Sequence, residues 1–213
     1  MPNNENGAEI QFAQDRLRYL EGGKTESAEI SVAKQKLEQI RGSLRGKAPH
    51  VKTLTDLADA YRREGRWDQA VATYRQAILI TEEKYGADFA PLAPLLNNLA
   101  HLCFEVGQNE EAEALWKRAI KIVEESYGVD DQNLGFLLTN FAALRNRLGD
   151  YSGAQVLCER AIRIKEGAFG SRSVQLIATL RQYAEVFVGQ GLTHEAKAVE
   201  SRIRQIQAET ETC

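Results

Sequence analysis

Residues 95–128 read LLNNLAHLCFEVGQNEEAEALWKRAIKIVEESYG. Leu95, Leu96, Leu99, Ala100, Leu102 and Cys103 fall at the three- and four-residue spacing of a helical stripe, which predicts a helix from Leu95 to Val106. Gly107 follows, where a residue tolerant of positive φ ends a helix at little cost. Asn109 is the expected N-cap of a second helix. Glu110, Glu111 and Glu113 then sit at the end of the helix dipole that favours negative charge. Ala112, Leu115, Trp116, Ala119, Ile120 and Val123 carry this helix to about Ser126, and Tyr127-Gly128 closes it.

The pattern recurs at a constant step of 42 residues on both sides. Glycine stands at Gly65, Gly107, Gly149 and Gly191, and alanine at Ala70, Ala112, Ala154 and Ala196. Further series run through Ala58, Ala100, Ala142 and Ala184, and through Leu54, Leu96, Leu138 and Leu180. Tyr85-Gly86, Tyr127-Gly128 and Phe169-Gly170 close the first three units. Four units are expected, at about 51–88, 89–130, 131–172 and 173–208, with a frayed tail at 209–213. Asp68 and Asp150-Tyr151 mark the equivalent starts of second helices. In the first unit Ala58, Ala70 and Ala77 let the two helices approach, while Tyr61, Trp67, Tyr74 and Tyr85 supply bulk. A helix pair cannot bury its apolar face alone, so the units must stack. The expected fold class is all-α: a right-handed α-solenoid of helix-turn-helix repeats, with first helices lining one face and second helices the other.

Composition excludes several functions. Hydrophobic residues make up 43% of the 213 and charged residues 27%, enough for a buried core and against wholesale disorder. Lys and Arg number 27 against 30 Asp and Glu, a net charge of −3, which argues against a nucleic-acid binder that must neutralise phosphates. No apolar run approaches the roughly 20 residues that span a bilayer, so no membrane insertion is expected. The opening MPNNENGAEIQ has no basic start followed by an apolar stretch, so no secretory signal is expected. Three scattered cysteines, Cys103, Cys158 and Cys213, make no disulfide framework, and a reducing cytoplasmic location is expected.

Leu57-Ala58-x-x-Tyr61, Gly65, Ala70, Tyr74 and Ala77 together resemble the tetratricopeptide repeat. The usual period is about 34 residues. The longer period here adds about one turn to each helix. That variant is similar to the repeats of kinesin light chain and its bacterial relatives. Leu96-Asn97-Asn98-Leu99-Ala100, Ala119-Ile120 and Tyr127-Gly128-x-Asp130 carry the likeness. The His-Pro that commonly follows the inter-unit Gly-x-Asp is replaced by Phe89-Ala90 and Asp131-Gln132. In the fourth unit Glu200 stands where Tyr74, Trp116 and Cys158 stand, and Ile203 replaces the alanine, which suits a terminal cap.

Residues 1–50 carry two stripes, Ile10, Ala13, Leu17 and Leu20, then Ile30, Ala33, Leu37, Ile40 and Leu44, around a turn at Gly22-Gly23. They read as a degenerate helical hairpin capping the array. The alternative is that the 30–44 stripe is a dimerisation or partner helix.

The chain shows no convergent catalytic group, and no catalytic residue is expected. His50, His101 and His194 lie far apart without metal-ligand spacing, and no phosphate-binding glycine loop is present, so no metal or cofactor is expected. Cys103 and Cys158 occupy places held elsewhere by Tyr61 and Tyr74, which reads as packed core thiols.

A recognition surface is the better reading. First-helix positions facing the groove give Thr55, Asp56, Asp59, Arg62 and Arg63, then Asn97, Asn98, His101, Phe104 and Glu105. The third unit gives Thr139, Asn140, Ala143, Asn146 and Arg147, and the fourth Arg181, Gln182, Glu185, Val188 and Gly189. Amides both donate and accept, so they can satisfy a peptide backbone, and arginine adds carboxylate recognition. The resemblance implies a peptide clamp at Asn97, Asn98, Asn140 and Arg181; alternatively, the asparagines bond between neighbouring units. His101 reads as a solvated groove residue, and Phe104 either as an anchor for a partner or as packing for an N-terminal cap. Arg145, Arg147 and Arg181 outnumber Glu185, which favours a mildly acidic partner segment. Glu82-Glu83-Lys84 and Glu124-Glu125 read as solvated faces. The expected function is a non-catalytic protein-interaction module, an adaptor, scaffold or assembly factor gripping an extended peptide or helix. The alternatives are self-association through the solenoid ends or residues 30–44, and a regulatory domain responding to a peptide or small ligand.

Overall fold

Alanine at fixed places on paired helices lets their backbones approach, and larger residues a turn away fill the remaining space. A computed structural model describes residues 51–211 and the isolated helical positions Ser31 and Gln35. Those two positions apart, the expected hairpin over 1–50, the stripe at 30–44 and Cys213 lie outside the described residues. Among the described residues there are eight α-helices and no strand. They are α1 Val51–Arg63, α2 Trp67–Tyr85, α3 Leu92–Glu105, α4 Asn109–Tyr127, α5 Gln132–Arg147, α6 Tyr151–Phe169, α7 Ile177–Gly189 and α8 Thr193–Glu211. A short 3-10 turn, Val174–Leu176, leads into α7. The last helix continues through Glu211, so the first three residues of the expected frayed tail are helical.

The chain divides into two units, one ending at Gly86 and one beginning at Ala87. In the first, α1 packs on α2 with Leu57, Ala58, Tyr61, Ala70, Tyr74 and Ala77 buried. Trp67 and Tyr85 do not provide the expected filling. They are 40% and 51% exposed because they are the first and last residues of α2, at its two ends.

In the second unit α3 pairs with α4, α5 with α6, and α7 with α8. Each of α4 and α6 also packs on the first helix of the following pair, while α3, α5 and α7 touch in sequence and form one layer. Trp116, Leu96, Leu99, Leu134 and Leu138 are fully buried within it.

Local chemistry sets the helix ends. Pro91 precedes α3 and Pro94 lies in its first turn, where a missing N–H breaks no intrahelical bond, so α3 begins three residues before the stripe suggests. Asp131, Asp150 and Ser173 cap with side-chain oxygens that accept from Asn133, Gly153 and Gln175 N–H. Asn109 is not a cap. It is the first helical residue of α4, Gln108 holds the cap position without a side-chain bond, and the Asn109 side chain accepts from Arg147. Gly107 and Gly128 turn the chain at φ +83° and +96°, a region other residues enter only under strain.

A ladder of arginines braces the loops. Arg118, Arg160 and Arg202, each 42 residues apart, donate to the carbonyls of Ala87, Val129 and Ser171 at 2.6, 2.9 and 2.9 Å. Arg160 also pairs with Glu124 at 2.7 Å, and Arg202 with Glu166. Glu124 is therefore a half-buried ion-pair partner rather than part of a solvated face, whereas Glu125 is exposed. At the last pair, Ile203 and Ile206 close on Leu176 and Leu180, and Glu200 turns to solvent.

Candidate functional site

The layer α3–α5–α7 carries most of the predicted groove residues, and the structure separates them into two sets. The first set holds the helices together. Asn97 Oδ1 accepts from Trp116 Nε1 at 3.0 Å and from Asn140 Nδ2 at 2.9 Å, tying α4 and α5 to α3. Thr139 was expected to face the groove, but it is buried, bonded to the Gly135 carbonyl at 2.7 Å and to Thr179 Oγ1 at 2.8 Å. Asn97 and Thr139 occupy the same repeat position, and each reaches the first helix of the next pair. Arg181 holds that position on α7, beyond which no further helix pair is described, and it is exposed.

Arg147 also works internally. Its guanidinium lies 3.6 Å over the Phe104 ring and donates to the Phe104 carbonyl and to Asn109. Phe104 packs edge-on against Trp116 at 5.9 Å and under Arg147, so it is engaged within the second unit rather than a free anchor; its expected packing on an N-terminal cap involves residues outside those described. Arg145 pairs with Glu113 at 2.8 Å and Asp150 at 3.1 Å. Two of the three arginines behind the expected acidic preference are thus engaged within the chain.

The second set remains open. Asn98 and Asn146 are partly exposed and Glu185 is exposed, and the side chains of these three, like that of Arg181, have no hydrogen-bond or ion-pair partner among the described residues. The Gln182 amide nitrogen is buried without an acceptor. His101 lies 3.6 Å from Glu105, both partly exposed. In the first unit Arg62 lies 3.9 Å from Asp59, which also accepts from Tyr74.

The cysteines are packed. Cys158 sits with Ala142, Ala154 and Val186. Burial, then the carboxylates of Glu159 and Glu185, pushes its thiol up to about 12, which leaves no thiolate near neutral pH. Among the described residues no group of His, Cys, Asp and Glu could hold a metal ion, and no helix is long and apolar enough to cross a membrane.

Depressions open elsewhere. One of about 650 Å³ is lined by Arg172, Arg202 and Gln205, and one of about 330 Å³ by Ile162, Leu180, Tyr183 and Val199. The smaller lies where Ala198 and Val199 of α8 stand in place of the bulkier Val156 and Leu157 of α6.

Two features escaped the sequence reading. The arginine ladder is visible as one more 42-residue series. Lys165 is visible only by comparing units, since Lys165 and Thr179 stand where Val123 and Leu137 stand one step earlier.

Paired helices, small residues at their crossings and glycine turns at a constant step define a helical repeat protein. The tetratricopeptide repeat family matches residues 91–166 and again 53–84, and the chain is a tetratricopeptide repeat protein. Its repeat fold is like that of kinesin-light-chain-like structures. The chain is similar in fold to BtubC (BKLC) from P. vanneervenii, at 22% identity over 86% of this chain and 75% of that one, with a TM-score of 0.77. It is similar to putative kinesin light chain TPR-like repeats of Podosopora anserina, at 20% identity over all of both chains and 0.73. It is also similar to MamA, at 17% identity over 86% of this chain and 90% of that one, and 0.60. At these identities the likeness is one of fold. None of the curated proteins matches the sequence significantly.

Proposed function

We propose that this chain is a non-catalytic, cytoplasmic protein-interaction module whose binding face is the α3–α5–α7 layer. It works as an adaptor, scaffold or assembly factor. One observation carries the reading: the side chains of Asn98, Asn146, Arg181, Gln182 and Glu185 keep hydrogen-bonding groups that no described residue uses. Unsatisfied amides favour an extended peptide or a helix end, whose own backbone groups need partners. His101 and Glu105 border this set. Within it, Arg181 is the guanidinium left for a partner carboxylate, which narrows the acidic preference to one contact. The fold likeness to repeats of a putative kinesin light chain supports an accessory rather than a catalytic role.

A displayed random-peptide library panned against the protein tests this. Selected peptides should bind the wild type and lose at least tenfold in affinity to the Asn98→Ala, Arg181→Glu double variant, with melting unchanged. Equal binding to both proteins would remove the face from consideration.

A further inference from the structure

Lys165 is 1% exposed, in the middle of the α5–α6–α7 junction. Its stem packs on Gly135, where an added Cβ would come 2.7 Å from Lys165 Cγ. Its Nζ donates to Thr179 Oγ1 at 2.8 Å and lies 4.3 Å from the centre of the Phe136 ring. Among the described residues of the elements packed around it, none that faces it bears negative charge. Along α5 the only charged residues are Arg145 and Arg147, and the 3-10 turn has none. Along α7 they are Arg181 and Glu185, both exposed. The acids of α6 are committed elsewhere, Glu159 to Tyr183 and Glu166 to Arg202. The remaining cations of α6 are Arg160, paired with Glu124, and the exposed Arg163. A buried ammonium with hydroxyl and aromatic partners but no carboxylate is under-compensated.

We infer that Lys165 is a protonation latch: the neutral amine fits the closed junction, and proton uptake favours undocking of the α7–α8 pair from α5–α6. This stands apart from the proposed binding face. Burial alone lowers the amine from 10.5 to about 8, so the closed form sheds its proton in a range where the opened form keeps it. Between those values the opened form binds more protons, and opening therefore falls as pH rises. From pH 7 to pH 9 the opening equilibrium should drop about tenfold.

Two buried cysteines of the full chain report on this. Cys158 is covered by Val186 of α7, whereas Cys103 lies in α3. Labelling both with a thiol reagent, and separating the labelled peptides by mass, gives a rate ratio in which the intrinsic pH dependence of thiol reactivity cancels. The Cys158-to-Cys103 ratio should fall about tenfold from pH 7 to pH 9 in the wild type. It should be flat in Lys165→Met. Thr179→Val, which removes the acceptor but keeps the charge, should raise the ratio at pH 7. A wild-type ratio that does not change with pH overturns the latch, whether or not either variant folds. So does a ratio that still falls in a folded Lys165→Met protein.

Discussion

Two junctions in the second unit are built on one repeat and solved differently. Where α3–α4 meets α5, Val123 and Leu137 are buried apolar residues, and the polar tie is a single asparagine, Asn97, receiving bonds from Trp116 and Asn140. Where α5–α6 meets α7, the same two places hold Lys165 and Thr179, and the tie runs through Thr139. The first junction satisfies every partner it buries in that tie. The second buries a cation and gives it no counter-ion. The lesson is that helix pairs tolerate a polar exchange at one layer when the partner across the junction changes with it.

The contrast can be broken most severely at the first junction. Trp116→Ala removes a fully buried ring and the donor to Asn97, and should cost about 3–5 kcal/mol in chemical denaturation. A cost below about 1 kcal/mol would mean that Trp116 does not anchor this layer. Ala154→Leu tests crowding on α6, where Ala154 is 0% exposed; overpacking should cost about 1–3 kcal/mol, and unaltered melting would contradict the close helix approach there.

A smaller effect sharpens the second junction. The folded lysine titrates near 8 and the unfolded one near 10.5, so the unfolded chain binds more protons in between and stability rises with pH. Wild-type stability should gain about 1.4 kcal/mol between pH 7 and 9 relative to Lys165→Met measured in the same buffers. Cys158 acts with the opposite sign above about pH 9, because its raised value holds a proton that the unfolded thiol has lost; both proteins share it, so the difference cancels it. Parallel pH profiles for the two proteins would refute the assignment. The smallest effect belongs to the ladder. Arg160→Ala, losing a partly exposed pair with Glu124 and one bond to Val129, should cost about 0.5–1 kcal/mol, with most of the ion-pair share gone in high salt.

The helices and their pairing were legible because alanine and bulky residues alternate at a step long enough to be unmistakable. Boundaries were less so: α3 begins early because Pro91 and Pro94 suit a first turn, and Asn109 fell inside α4 rather than before it. The binding face was legible only in part. Spacing within one helix places Asn97 and Thr139 on the inner layer, but whether a side chain meets solvent or the next pair depends on helix crossings that a single unit does not encode. Arg181 shows this, since the same position is exposed on α7, where no further pair is described. Lys165 was hidden for a different reason: a lone lysine in a helix reads as a solvated charge until its counterparts are aligned and found to be Val123 and Thr81, both buried.

Gly135 adds a steric constraint. Its counterpart one step earlier is Ala93, and a methyl group at 135 would lie within 2.7 Å of the lysine stem. Glycine and lysine therefore fit as a pair, and a methyl restored at 135 while the lysine remains would force the stem or the helix to shift.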